Sequence, residues 1–472
     1  MSEIGIVVVG SVDSGKSTLI GTILSGKLDD GNGSNRSIVS SHNHEKKSGK
    51  TSSIAVHSIK KYYGNNSLIL IDLYGHEKYL KTTLYGIMGY YPDYAIVIIS
   101  ANRGILHMTR EHTKILHHLK IPMIIALTKI DLIEKICAGT DKDPEEMLTN
   151  IVGDIKKIYS KGNYDVVDME KTVETNIIPD SKQIPLFKIS SKTGRGLELF
   201  KNYIPMLPKN KTIVSCPLAD KILIKSIPQK KNANTSPYIF YVEKIYCPIG
   251  IGWVVTGILR CSDPVNCMSQ GQTCWLGPVS EQTQIKIRSI HNYYKEKIDK
   301  VYSGQRACLA IRSDKKLTYK MFRKGIILTN NLDIIKYASF KYKAMIKLLS
   351  HPSTVRDNFT PVIHCATIRQ SAKITIIDIN NKSGKKKILD EKKILDEKKI
   401  LGEEELNQTG IESQAINSKT NITNIIKCIC PGDTAIICLE FKYYPEIIEP
   451  NESFFLREGL CLGVGTILEP MF

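Results

Sequence analysis

The chain has 472 residues, 42% of them hydrophobic, and its 65 lysines and arginines against 47 acidic residues give a formal net charge of +18. That length and apolar content fit a globular protein of two or three domains with real cores, and no apolar run reaches the ~20 residues of a membrane-spanning helix. The positive charge predicts attraction to a polyanion such as RNA, but usage this rich in Ile, Lys and Asn also follows from AT-rich codons, so both readings stand.

The first predicted element is a strand over Ile6–Val9. It runs into Gly10-Ser11-Val12-Asp13-Ser14-Gly15-Lys16-Ser17-Thr18 and then a helix-like stretch to Ser25. Strand, glycine-rich loop and helix in that order make a phosphate-binding loop. Glycines let successive backbone N–H groups converge on phosphate oxygens, and the helix N-terminus adds its dipole. In that role Lys16 bridges the β- and γ-phosphates and Ser17 gives its hydroxyl to Mg²⁺. Residues 30–53, rich in Gly, Ser, Asn and Lys, read as a mobile loop.

A second buried-strand run, Leu68–Ile71, ends in Asp72-Leu73-Tyr74-Gly75-His76. An acidic residue at a strand's C-terminal end, opposite the first loop, holds Mg²⁺ through water. Gly75 allows its N–H to approach a γ-phosphate. Tyr94–Ser100, Arg110–Leu119 and Ile121–Leu127 then alternate strand and helix, which predicts a doubly wound α/β domain with a mostly parallel sheet.

The third apolar run ends in Thr128-Lys129-Ile130-Asp131. A carboxylate there accepts from both N1–H and the exocyclic amine of guanine, a donor pair that adenine lacks. The Lys129 stem would lie along the base. Ser190-Ser191-Lys192, after the run Ile184–Phe187, would close over it. Each short motif is weak alone; four in this order, three directly after strand runs, specify a guanine-nucleotide site.

After Pro208 the pattern turns to short β runs punctuated by Gly and Pro: Tyr238–Tyr246, Trp253–Leu259, Thr283–Ile290 and Gln305–Ile311, then a third β-rich segment from about Tyr337. The runs from Tyr238 to Ile311 predict a β-barrel. The expected division is 1–210, 215–335 and 336–472. Lys386 to Leu401 repeats Lys-Lys-Ile-Leu-Asp/Gly-Glu and leads into a polar tract. Apolar pairs at that spacing build neither an amphipathic helix nor a one-sided strand, so 382–420 is expected to be an exposed, mobile insertion. The twelve cysteines lack a Cys-x-x-Cys pair and read as reduced core thiols of a cytoplasmic protein. The strand so near residue 1 leaves no room for a signal peptide.

These motifs, with Val12-Asp-Ser-Gly-Lys-Ser-Thr18, the stretch His44–Ser53, Gly75-His-Glu-Lys-Tyr-Leu-Lys-Thr-Thr83 and His364-Cys-Ala-Thr-Ile-Arg-Gln370, resemble the translational GTPases of the elongation factor Tu / elongation factor 1-alpha class, and within it the divergent GTP-binding protein 1-like branch. The resemblance runs from about residue 4 to 470, Gly250–Gly257 is similar to the class's second domain, and the resemblance implies a second β-barrel over the third β-rich segment. It implies a GTP- and Mg²⁺-dependent switch. Thr51 matches the threonine that binds Mg²⁺ and senses the γ-phosphate, and His76 matches the histidine that positions the attacking water. Asp13 matches an acidic residue associated with a monovalent cation. Three positions depart from the class: Ser11 in place of His, Tyr74 in place of Pro, and Lys50 in place of an apolar gate residue.

The resemblance further implies a monomer that binds aminoacyl-tRNA and the ribosome in its GTP state and hydrolyses GTP to GDP. Rival readings are a ribosome-rescue or mRNA-surveillance GTPase that carries a release factor, an RNA-decay adaptor, and a GTPase that regulates a metabolic enzyme.

Overall fold

The computed structural model describes residues 3–39, 54–59, 67–138, 141–172, 177–180, 182–210, 216–219, 221, 236–261, 263, 266–350, 354–380, 428–459 and 461–472. Lys50, Thr51 and the 382–420 insertion lie outside the described residues.

The N-terminal part is one seven-stranded sheet: β1 (Glu3–Gly10), β2 (Ala55–Ile59), β3 (Ser67–Asp72), β4 (Tyr94–Ser100), β5 (Met123–Thr128), β6 (Asp165–Asp168) and β7 (Gln183–Ile189), in the order β2-β3-β1-β4-β5-β7-β6. Every pairing is parallel except that of β2 with β3. Helices α1 (Lys16–Ser25), α2 (Ser34–Val39), α3 (Leu80–Gly89), α4 (His107–His118), α5 (Asp131–Cys137), α6 (Pro144–Ser160) and α7 (Leu197–Tyr203) complete it.

Strand alternation sorts the core into two faces. Val7, Val9, Ile69 and Ile71 pack with Leu84 of α3, Ile115 of α4 and Leu148 of α6. Ile6, Val8, Leu68 and Leu70 pack on the other face with Leu19 of α1 and Phe200 of α7. A sheet buried on both faces reads as continuous apolar runs, which is why its strands were visible in sequence.

Residues 34–39, expected within a mobile loop, form α2. Its sequence has no amphipathic period, and a tertiary contact holds it: the buried Asn35 donates through Nδ2 to Thr22 Oγ1 of α1 at 3.1 Å.

Two β-barrels follow, as expected. In the first, six strands close a ring: Tyr238–Tyr246, Val254–Cys261, Arg306–Arg312, Thr283–His291, Thr273–Gly277 and Ile327–Thr329, each pairing with the next and the last with the first. The second is a closed barrel of Lys341–Ser350, Thr434–Phe441, Ile368–Asn380, Val362–Cys365, Ser453–Glu458 and Cys461–Met471.

Buried ion pairs fix the units against one another. Arg306 of the first barrel, 1% exposed, reaches Glu3 of β1 at 3.2 Å and also donates to the Tyr90 and Tyr91 carbonyls. Arg260 meets Glu449 at 2.9 Å between the barrels. Buried charges of this kind add little net stability but penalise any arrangement that unpairs them.

All twelve cysteines are free thiols. Six are buried as expected, including Cys216 and Cys365, but Cys247 is exposed on a hairpin of the first barrel. No described helix is long and apolar enough to cross a membrane.

Candidate functional site

The parallel register aligns the C-terminal ends of the central strands. Val8 of β1 pairs with Asp72, Gly10 with Ile98, Ser100 with Thr128, and Thr128 with Ile189. The segments that follow these strands therefore converge on one edge, where ligands bind in open α/β sheets. Gly10 to Thr18, Gly75, His76 and Thr128 to Asp131 gather there with Ser190 to Lys192.

Three of them line a cleft of about 360 Å³: the first loop through Val12, Asp13, Gly15, Lys16, Ser17 and Thr18, the second through Gly75 and His76, and the third through Lys129. Lys16 is buried and donates from Nζ to the Ser11 carbonyl at 2.8 Å. Burial pushes its pKa down, while Asp72 and Asp13 oppose that shift. A buried ammonium at a helix N-terminus is a strong site for an anion. Gly75 sits against it: a Cβ at this position would lie 2.6 Å from Lys16 Nζ and 2.7 Å from the Val12 nitrogen, so no larger residue fits.

Ser17 Oγ donates to Asp72 Oδ2 at 2.7 Å, and Asp72 is wholly buried. A hydroxyl and a carboxylate side by side suit a hard cation that takes its remaining ligands from water and substrate oxygens. Among the described residues no group of three or more His, Cys, Asp or Glu offers an all-protein metal cage.

The third loop is tied to the first. Thr128 Oγ1 donates to the Ser14 carbonyl at 2.6 Å, and Lys129 Nζ to the Asp13 carbonyl at 2.6 Å. Asp13 and Lys129 both have φ of 59°, a left-handed conformation uncommon for residues with side chains and concentrated at functional sites. Ser190 Oγ donates to Asp131 Oδ1 at 2.8 Å. The Ser191 carbonyl accepts from Asp29 N at 2.8 Å, and Lys192 lies over Gly31. The segments after β5 and β7 thus form one connected surface beside the loop after β1.

Two of the sequence departures have clear structural consequences. Ser11 is buried and shares a 2.8 Å hydrogen bond with Thr109 of α4. Tyr74 is buried and stacks on Tyr79 with centroids 4.9 Å apart, and its carbonyl accepts from Thr83 Oγ1 at 3.2 Å. The stack and the Thr83 hydrogen bond hold this segment against the start of α3. His76 is exposed, and its Nδ1 accepts from Lys78 N at 3.1 Å.

Three lining residues were missed in sequence: Arg36 of α2, Tyr79 and Arg103. Arg36 and Arg103 belong to no motif, and Tyr79, though inside the Gly75–Thr83 stretch, is not a residue type that marks a cleft position; chain folding brings all three together.

A second feature lies where α3 meets both barrels. His364 is 1% exposed, and neither ring nitrogen has a hydrogen-bond partner among the described residues. Burial first, then Arg369, Lys324, Lys81 and Arg457, hold its pKa down to about 3. Lys324 Nζ sits 3.9 Å from the Tyr85 ring centroid of α3, and burial and Arg369 lower its own pKa. Like charges from three structural units are held close together here.

Residues 2–223 match the family described as the elongation factor Tu GTP binding domain. The chain is 28% identical to GTP-binding protein 1 of Xenopus laevis, over 98% of its own length and 63% of that protein's. It is 29% identical to GTP-binding protein 2 of Homo sapiens, over 99% of its own length and 69% of that protein's. The chain therefore spans less than two thirds of the frog relative. Among solved structures, a bacterial selenocysteine-specific elongation factor EF-Sec superposes with a TM-score of 0.61 at 18% identity, covering 100% of this chain and 59% of that one. Translation elongation factor SelB of Methanococcus maripaludis, in complex with the GTP analogue GPPNHP, gives 0.58 at 17% identity, covering 100% and 80%. At those identities the likeness is one of fold.

Proposed function

We propose that the chain, whose residues 2–223 match the elongation factor Tu GTP binding domain, binds GTP with Mg²⁺, hydrolyses it to GDP, and in the GTP state engages aminoacyl-tRNA and the ribosome. The observation that carries this reading is continuity. The segment from Asp72 to His76 leads through one 3-10 turn, Glu77–Tyr79, into α3, whose first turn carries Lys81, one of the cations around His364. A γ-phosphate that orders Gly75 and His76 therefore acts on the helix that presents Lys81 to a polyanion.

In this reading Asp131 and Lys129 take the guanine ring, with Ser190, Ser191 and Lys192 closing over it. The amides of Gly10 to Thr18 and the Lys16 ammonium hold the phosphates. Ser17 and Asp72, with Thr51, would hold Mg²⁺, which neutralises charge on the β- and γ-oxygens when bound. Gly75 N–H aims at the γ-phosphate, and His76 orients a water for in-line attack. The protein's work is positioning and charge stabilisation; no covalent intermediate is needed.

Net charge supports a nucleic-acid partner, and in this reading the Lys81, Lys324, Arg369 and Arg457 cluster at the three-way junction is the surface it would meet. The test is GTP turnover with and without ribosomes, alongside co-pelleting with a non-hydrolysable analogue. Ribosome-stimulated turnover and analogue-dependent pelleting are expected. Turnover indifferent to ribosomes, with no pelleting, would favour a regulator of a metabolic enzyme instead.

A further inference from the structure

We propose that Arg36 and Arg103, two arginines outside every nucleotide-binding motif of the chain, form a clamp on the phosphate chain of the bound nucleotide. The inference rests on the reading of the cleft as a guanine-nucleotide site and adds two ligand-contacting residues to it.

Both arginines line the cleft that contains Lys16, Ser17 and Lys129. Both also disfavour the charged form of Lys129, whose ammonium bridges to the Asp13 carbonyl across the phosphate loop. Each guanidinium is therefore within electrostatic reach of the groups that would meet the phosphates. With Lys16 and Lys129, the lining carries four fixed cations against the single carboxylate of Asp13. That excess suits a di- or triphosphate, and a planar guanidinium fork matches phosphate oxygens better than an ammonium does.

The backbone beneath each arginine is fixed. Arg36 follows Asn35, whose side chain and backbone are tied down at three points. Nδ2 donates to Thr22 Oγ1 at 3.1 Å and to the Lys27 carbonyl at 2.8 Å, and the backbone N–H donates to Asp29 Oδ1 at 3.1 Å. Gly21 makes this possible: a Cβ there would collide with the Asn35 carbonyl oxygen, so only glycine lets α2 sit this close to α1. Asp29 in turn is joined to the base-reading loop at Ser191. On the other element, Arg103 N donates to the Ser100 carbonyl at 3.1 Å, and Ala101 N to the Thr128 carbonyl at 2.8 Å. Both arginines are thus carried by segments anchored to the nucleotide loops, so only their side chains have to be ordered on binding.

The test compares the parent with Arg36→Gln, Arg103→Gln and the double variant, by equilibrium competition with GTP, GDP and GMP. Nucleotide-free melting temperatures check that each variant folds. A phosphate clamp predicts a weakening of roughly tenfold per arginine for GTP and GDP, as expected for losing a charge-assisted hydrogen bond. The effect on GMP should be distinctly smaller, and the salt dependence of GDP binding should flatten. A loss equal for all three nucleotides, or none in the double variant, would overturn the clamp while leaving the cleft assignment standing. A parent that binds no guanine nucleotide would overturn both.

Discussion

The Ser190 hydroxyl donates to Asp131 Oδ1 at 2.8 Å while its oxygen accepts from Thr193 N at 3.1 Å. The Asp131 carboxylate, proposed to read the base, is thereby aimed by a residue 59 positions away. Replacing the acceptor with an amide inverts half its hydrogen-bond character. Asp131→Asn should lose GTP affinity by about a hundredfold or more and gain affinity for xanthosine triphosphate. Ser190→Ala keeps the carboxylate but frees its orientation, and a loss of about fivefold is expected. Competition binding with both nucleotides reads these outcomes; unchanged GTP affinity in Asp131→Asn would remove that residue from base recognition.

His76 is exposed at the cleft rim and touches its own chain through Lys78 N. His76→Ala should therefore keep GTP affinity within about twofold, while ribosome-stimulated turnover falls by about 10²–10⁴, the range for a lost water-positioning group. Stopped-flow binding and phosphate-release assays separate the two. Equal stimulated rates in variant and parent would exclude His76 from the reaction.

Two buried histidines oppose folding in mild acid, while Glu243, Glu446 and Glu452, whose burial raises each pKa to about 7, favour it as they protonate. Burial holds His112 and His364 near a pKa of about 3, against 6.5 for the free side chain. Below pH 6.5 the unfolded chain takes up two protons at these histidines that the folded chain refuses, so their own contribution favours unfolding as pH drops from 6.5 toward 3. Each histidine contributes about 1.4 kcal/mol of lost stability per pH unit in that window. Urea titrations at pH 7.5 and 5.5 should show that acidification lowers stability less, or raises it more, in His112→Gln or His364→Gln than in the parent, by about 1.4 kcal/mol each.

The repeat-bearing segment should be dispensable for nucleotide chemistry. It lies between the strand Ile368–Asn380 and Cys428–Ile429 of the C-terminal part, far along the chain from the cleft loops. Replacing Lys382 to Lys419 with a short Gly/Ser linker should leave nucleotide affinity unchanged and the melting temperature within about 2 °C. A large fall in melting temperature would show that the segment packs.

Much of the fold was legible because β1, β3, β4, β5 and β7 are buried on both faces and read as unbroken apolar runs. The loops after β1, β3, β5 and β7 were legible because phosphate and guanine chemistry demands particular residues at fixed spacing. What stayed hidden depends on partners distant in sequence. Helix α2 has no periodicity, and its position follows from Asn35 on Gly21. Arg36 and Arg103 belong to no motif. The Arg306–Glu3 pair that docks the first barrel joins residues 303 apart, and no local pattern announces it. The cations around His364 come from α3 and both barrels, so only their assembly reveals a site.

The central claim is that the nucleotide controls a polyanion site at the junction of the three units. The most direct measurement is protection of the aminoacyl ester of tRNA from hydrolysis, with the protein loaded with a GTP analogue or with GDP. Protection should appear with the analogue alone, weaken steeply with added salt as phosphate contacts are screened, and drop markedly in a Lys81→Glu, Arg369→Glu variant that still binds nucleotide. No protection in either nucleotide state, from a protein that nonetheless binds GTP and pellets with ribosomes, would contradict the account and point to a rescue or adaptor role.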